Sequence, residues 1–169
     1  MTGPVVVGVD PGAAGAIVAL DEAGTPALAW AADDPECGYF VAGDPDPLAI
    51  TARLRPLAEV GVLRVVLESA FAPAQVGTAN ALTIGRRWGM LYAALRACRM
   101  PVVVVTPAAW SRALWGASKG GTGKERKQAA VRLAAERAPA LGLVLPGRRI
   151  AHDGLADAAA LAIYGWERA

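Results

Sequence analysis

Four carboxylates stand out by type and placement. Asp10 closes the apolar run Val5-Val6-Val7-Gly8-Val9-Asp10, and Glu68 closes Val65-Val66-Leu67-Glu68. Both runs are short, rich in β-branched residues and bounded by turn signals, which is the pattern of buried strands. Ligand sites in α/β sheets lie just beyond strand ends, so both acids stand where chemistry happens. Asp10, followed by Pro11-Gly12, also suits the turn itself. The other two acids, Asp153 and Asp157, are four residues apart in His152-Asp153-Gly154-Leu155-Ala156-Asp157 and share one helix face. Asp153 alone reads equally well as a helix N-cap. Asp157 is the stronger anomaly, because its alanine-rich surroundings suit close packing against a sheet. Like charges at this spacing cost roughly a few tenths of a kcal/mol in solvent. Buried without a partner, each costs several kcal/mol.

A divalent cation turns that repulsion into shared coordination. All-oxygen donors without a Cys/His cluster select Mg2+, with Mn2+ as its substitute, over zinc. Two acids from strand ends and two from a C-terminal helix suit a two-metal site. Ions about 3.5–4 Å apart then act on both sides of a scissile phosphate. The reaction expected is phosphodiester hydrolysis.

The charge distribution agrees with an anionic substrate. The net charge is only +2, but residues 1–68 hold ten acids against three bases. Residues 69–151 hold thirteen bases against Glu125 and Glu136 alone. A basic middle beside an acidic first third points to nucleic acid, although solvated helix faces would give the same counts. The DNA-contact candidates in this middle are Arg86 and Arg87, and Lys119 and Lys124 in and after the Gly-rich stretch 116–123.

The elements that must position these residues follow from the pattern. Residues 4–10, 16–20 and 26–31 read as three strands joined by short turns, an antiparallel meander. Residues 37–47 read as loop, and 46–60 as a helix that Pro56 kinks or divides. A fourth strand spans 63–68. A long helix at 80–99 carries Leu82, Ile84, Trp88, Leu91, Tyr92 and Leu95 at helical spacing. A fifth strand at 101–106 precedes helices at 107–114, 124–137 and 153–167. The result is one α/β domain over residues 1–169, a five-stranded mixed sheet with three antiparallel N-terminal strands and two parallel ones, flanked by helices.

Composition excludes several classes. With 54% hydrophobic and 19% charged residues the chain has a core to bury. No apolar run approaches the ~20 residues of a membrane span. No secretion signal is expected at the N-terminus, and two cysteines make no disulfide framework, so a cytoplasmic protein is expected, in a bacterial cell or in the host cytoplasm if phage-encoded. Lys119-Gly120-Gly121-Thr122-Gly123-Lys124 is similar to the phosphate loop of ParA-type ATPases. Glu125 stands where the Mg2+-binding hydroxyl is needed and a helix precedes in place of a strand, so no nucleotide cofactor is expected.

Three motifs in order, Gly8-Val9-Asp10-Pro11-Gly12, Val66-Leu67-Glu68 and His152-Asp153-Gly154-Leu155-Ala156-Asp157-Ala158, resemble the RuvC family of Holliday junction resolvases. The resemblance runs over nearly the whole chain and implies an RNase H-like fold. It implies a homodimer that cuts opposed strands of a four-way DNA junction with Mg2+. Carried over by position, Asp10, Glu68, Asp153 and Asp157 are the catalytic metal ligands. Phe71 matches an aromatic used near the junction point, and Arg112 and Lys127 fall near positions that hold DNA phosphates. The four-residue spacing of the last acids is closer to the phage, poxvirus and organellar branches than to bacterial RuvC. His152 stands beside the site, either as a carrier in proton transfer or as an exposed residue leading the helix. The long helix is the expected dimer interface, with Trp88, Met90, Tyr92 and Trp115 offering apolar area that core packing explains as well. Two rival readings stay open: an RNase H-like nuclease of broader substrate (RNA, flaps, branched DNA), and a non-catalytic junction-binding module.

Overall fold

Three strands joined by tight turns open the chain: β1 (Val5–Asp10), β2 (Ala16–Leu20) and β3 (Pro26–Ala31), each antiparallel to the next. A small hairpin, β4 (Phe40–Val41) and β5 (Asp44–Pro45), leads into α1 (Pro47–Val60). Strand β6 (Val62–Glu68) then returns parallel to β1, and after α2 (Thr78–Ala97) β7 (Val102–Val105) runs parallel to β6. Helices α3 (Pro107–Trp115), α4 (Gly123–Arg137) and α5 (Asp153–Trp166) complete the chain. This is a computed structural model in which residues 3–36, 38–70, 75–116 and 123–169 are described. Phe71 and Lys119 lie outside the described residues.

The sheet order is β3-β2-β1-β6-β7, the mixed five-stranded arrangement expected from hairpins followed by crossovers. Its two faces separate by strand alternation. Val6, Val18, Leu20 and Val66 pack with Trp110 of α3, Ala130 and Ala134 of α4, and the alanine-rich α5. Val5, Val7, Val9, Ile17, Val65 and Leu67 pack with Ile50 and Leu54 of α1 and Leu91 and Leu95 of α2. Every one of these strand residues is fully buried, so each strand is apolar on both sides. That accounts for their continuous runs of valine and leucine.

Helix starts follow local chemistry. The Asp46 carboxylate accepts from the amides of Leu48 and Ala49 at the head of α1. The Thr106 hydroxyl accepts from Ala109 N ahead of α3, which has proline in its first turn. Pro56 lies within α1 without dividing it. The β4–β5 hairpin falls where the sequence pattern reads as loop, because strands of two residues carry no periodicity to detect. Among the described residues no helix is long and apolar enough to cross a membrane.

Candidate active site

Alternation along β1 puts Asp10 on the side of Val6 and Gly8, which face α5. On β6 Glu68 follows Val66 in the same sense. α5 must then come close, and glycine permits it. A Cβ on Gly8 would overlap the Ala158 carbonyl oxygen, and one on Gly154 would overlap the Ala14 carbonyl oxygen. The last helix therefore lies directly on the first strand. Asp157 meets Asp10 and Glu68 in a pocket of about 980 Å³. Arg87, Arg126 and Lys127 bring positive charge to the same pocket, while Ile84, Trp88, Trp110 and Trp115 form its apolar side.

Burial raises all three pocket carboxyls above their ordinary range. Burial pushes the Asp10 carboxyl up to about 8, against the Gly12 amide that donates to its Oδ1 at 2.9 Å; the charges of Asp157 and Glu68 push it further up. Burial, then Glu68 and Asp153, push Asp157 up to about 7. Glu68 is raised by burial, with the Trp110 indole working the other way. This is the expected behaviour of carboxyls that are desolvated and close to like charges.

The fourth acid is placed differently. Asp153 begins α5 and accepts from the Lys127 ammonium at 2.6 Å. That hydrogen bond raises the pKa of Lys127. The sequence pattern expects four acids in one cluster. Three line the pocket and the fourth is ion-paired at its edge. Among the described residues no three His, Cys, Asp or Glu side chains converge closely enough, as they stand, to hold one ion. The donor set nevertheless fits a divalent cation in chemistry: all oxygen, buried, mutually repelling and in one pocket.

His152 corrects the sequence reading twice. It is 6% exposed, not a solvent-facing lead residue. Its Nδ1 accepts from Leu155 N at 3.0 Å, so His152 and not Asp153 caps α5. Nε2 then carries the proton and donates to Asp33 Oδ1 at 2.7 Å. Burial works against Asp33, but the bond from His152 and the ion pair with Arg148, at 2.9 Å, hold its carboxyl below the usual range. Both nitrogens are thus engaged, and His152 is not among the residues that line the pocket.

The DNA-contact candidates divide. Arg86 pairs with Asp44 at 2.8 Å. Arg87, 3.6 Å from the same carboxylate, lies over the Phe40 ring and reaches the pocket. Arg112 is exposed on α3 and Lys124 is exposed in the first turn of α4. Of the apolar residues offered for a dimer interface, Trp88 and Tyr92 stack on each other at 5.1 Å, and Trp115 meets Trp110 edge-on at 5.3 Å. Sequence reasoning did not single out Arg126 or Trp110. Arg126 lies in a run of charges on a solvated helix. The Trp110 indole donates to Glu68 Oε1 at 2.8 Å, across 42 residues of sequence, a partnership no local pattern announces.

No family model matches the sequence, and no curated protein matches it. Solved structures do. A structure of Thermus thermophilus RuvC superposes with a TM-score of 0.60 at 22% identity, covering 97% of this chain and 95% of that one. T. thermophilus RuvC in complex with Holliday junction substrate superposes with a TM-score of 0.62 at 18% identity, covering 98% and 95%. The fold is thus the RNase H-like fold seen in RuvC.

Proposed function

We propose that the chain is a metal-dependent, structure-specific endonuclease that resolves four-way DNA junctions by paired phosphodiester hydrolysis. The observation that carries this is the meeting of Asp10, Glu68 and Asp157, from β1, β6 and α5, in one pocket with Arg126 and Lys127. A fold shared with a RuvC that has been solved on a Holliday junction supports the choice of substrate.

In this reading Asp10, Glu68 and Asp157 would hold the cation, Mg2+ or Mn2+, and Asp153, which pairs with Lys127, would be the further ligand. When bound, the cation supplies activation of water and neutralises charge at the phosphate. Lys127 and Arg126 draw a phosphate towards the carboxylates, whose own charge would otherwise repel it. The Gly12 amide fixes Asp10, and His152 fixes the helix that bears Asp153 and Asp157. Arg112, Lys124 and the pocket face of Arg87 extend the positive surface along the DNA backbone; Arg86 is held by Asp44 in the free chain. A homodimer is required so that two pockets meet opposed strands. Placement nearer the phage and organellar branches rests on the four-residue spacing of Asp153 and Asp157.

The test is cleavage of an end-labelled four-way junction with Mg2+, beside linear duplex, flap and RNA–DNA hybrid. Symmetric paired nicks in the junction alone are expected. Equal cutting of flaps or hybrids would replace the junction reading with a broader RNase H-like nuclease. Tight junction binding without cutting would leave a binding module.

A further inference from the structure

Glu68 is gripped from both layers of the fold. The Trp110 indole of α3, on the α5 side of the sheet, donates to Glu68 Oε1 at 2.8 Å. The Trp88 indole of α2, on the opposite side, donates to the Glu68 main-chain carbonyl, also at 2.8 Å. Both rings are braced: Trp88 stacks on Tyr92 with planes 8° apart, and Trp110 meets Trp115 at 77°. Trp110 is 6% exposed.

An indole N–H only donates. It can neither take a proton nor bind a cation, so its sole service to Glu68 is to hold one oxygen of the carboxylate. Packing alone does not account for this pairing. Trp88 and Trp166 satisfy their N–H groups on main-chain carbonyls, of Glu68 and Leu20, whereas Trp110 directs its own to the carboxylate. We propose that Trp110 is a positioning residue: its indole fixes Glu68 Oε1, leaving Oε2 for a divalent cation, while Trp88 anchors the same residue by its backbone. This rests on the metal-dependent reading of the pocket.

Trp110→Phe keeps the ring and removes the N–H. Calorimetric titration of the DNA-free protein with Mn2+ should show affinity weakened by about 10–100-fold, as outer partners of metal ligands typically cost. Metal-free junction affinity should be unchanged. Trp110→Phe added to Glu68→Gln should weaken Mn2+ binding no further than Glu68→Gln alone, since the indole acts through that carboxylate. Wild-type Mn2+ affinity in Trp110→Phe, or losses that add in the double variant, would overturn the proposal and leave the metal reading standing. No Mn2+ binding by the wild type would remove the metal reading, and the proposal with it. Should Trp110→Phe not fold, the indole N–H resonance of Trp110 serves in metal-free protein. It should move on Glu68→Gln, and an unmoved resonance would overturn the pairing.

Discussion

Gly8 of β1 lies so close to Ala158 of α5 that any side chain on Gly8 would collide with the Ala158 carbonyl and the Ala162 amide. Asp10 follows two residues later on one element, and Asp157 stands one residue earlier on the other. The approach of strand and helix therefore sets the distance between acids 147 positions apart in the chain.

Gly8→Ala should accordingly destabilise the fold by about 1–3 kcal/mol or more, since backbone cannot give way as a side chain does. Urea unfolding reads this directly. At roughly 2–4 °C per kcal/mol for a chain of this size, the melting point should fall visibly. An unchanged midpoint would place the control of helix–sheet spacing elsewhere.

The raised carboxyls make stability depend on pH and on metal. Asp10 at about 8 and Asp157 at about 7 bind protons more tightly in the folded chain than at their ordinary 3.8. Between these values the folded state holds the extra protons, so the contribution of these two groups is fullest below about pH 4 and is lost as pH rises to about 8, whereas the lowered Asp33 favours the folded state above its own titration range. In EDTA, Asp157→Asn should therefore melt above wild type at pH 8 and close to it at pH 4. At pH 8 saturating Mg2+ should stabilise the wild type, by about 2.7 kcal/mol at a hundredfold excess over Kd, and the variant less. Thermal melts across pH, with and without Mg2+, check both signs. An Asp157→Asn variant that gains nothing on the wild type between pH 4 and 8 without metal would contradict the assignment.

The architecture was legible because each strand of the five-stranded sheet announces itself. Residues 5–9 of β1 and 65–67 of β6 are apolar on both faces, and short turns against long crossovers dictate antiparallel and parallel pairing. Asp10, Glu68 and Asp157 were legible as pocket residues for a related reason: each stands at the end of a buried strand or within an alanine helix, although Asp10 also serves the turn through the Gly12 amide. Partnerships between distant side chains left no such trace. Nothing near His152 announces Asp33, 119 residues away, and nothing near Asp153 announces Lys127. The β4–β5 hairpin was hidden by its length.

His152→Ala should cost about 0.5–2 kcal/mol, the loss of an N-cap, and more to the extent that Asp33 is left with Arg148 alone. Asparagine accepts at the same position, so His152→Asn should recover part of the cap. Chemical denaturation of both variants measures this. Full stability of His152→Ala would show the imidazole is no structural cap and would reopen a chemical role.

Lys124→Ala and Lys127→Ala should weaken junction binding and flatten its salt dependence, by about 0.9 in the log–log slope for each phosphate that a lysine ceases to neutralise. Fluorescence anisotropy over a salt series supplies the slope. If it stays at the wild-type value, neither lysine touches the DNA backbone.

The central claim is that buried carboxylates from β1, β6 and α5 perform metal-dependent hydrolysis. It is tested most directly by single-turnover cleavage of a pre-bound four-way junction, started with Mg2+, for wild type, Asp10→Asn, Glu68→Gln and Asp157→Asn, with metal-free binding measured alongside. Paired nicks are expected from the wild type. Each variant should lose cutting by orders of magnitude while keeping its junction affinity. Cutting at wild-type rate by any of the three, or loss of binding together with cutting in folded variants, would contradict it.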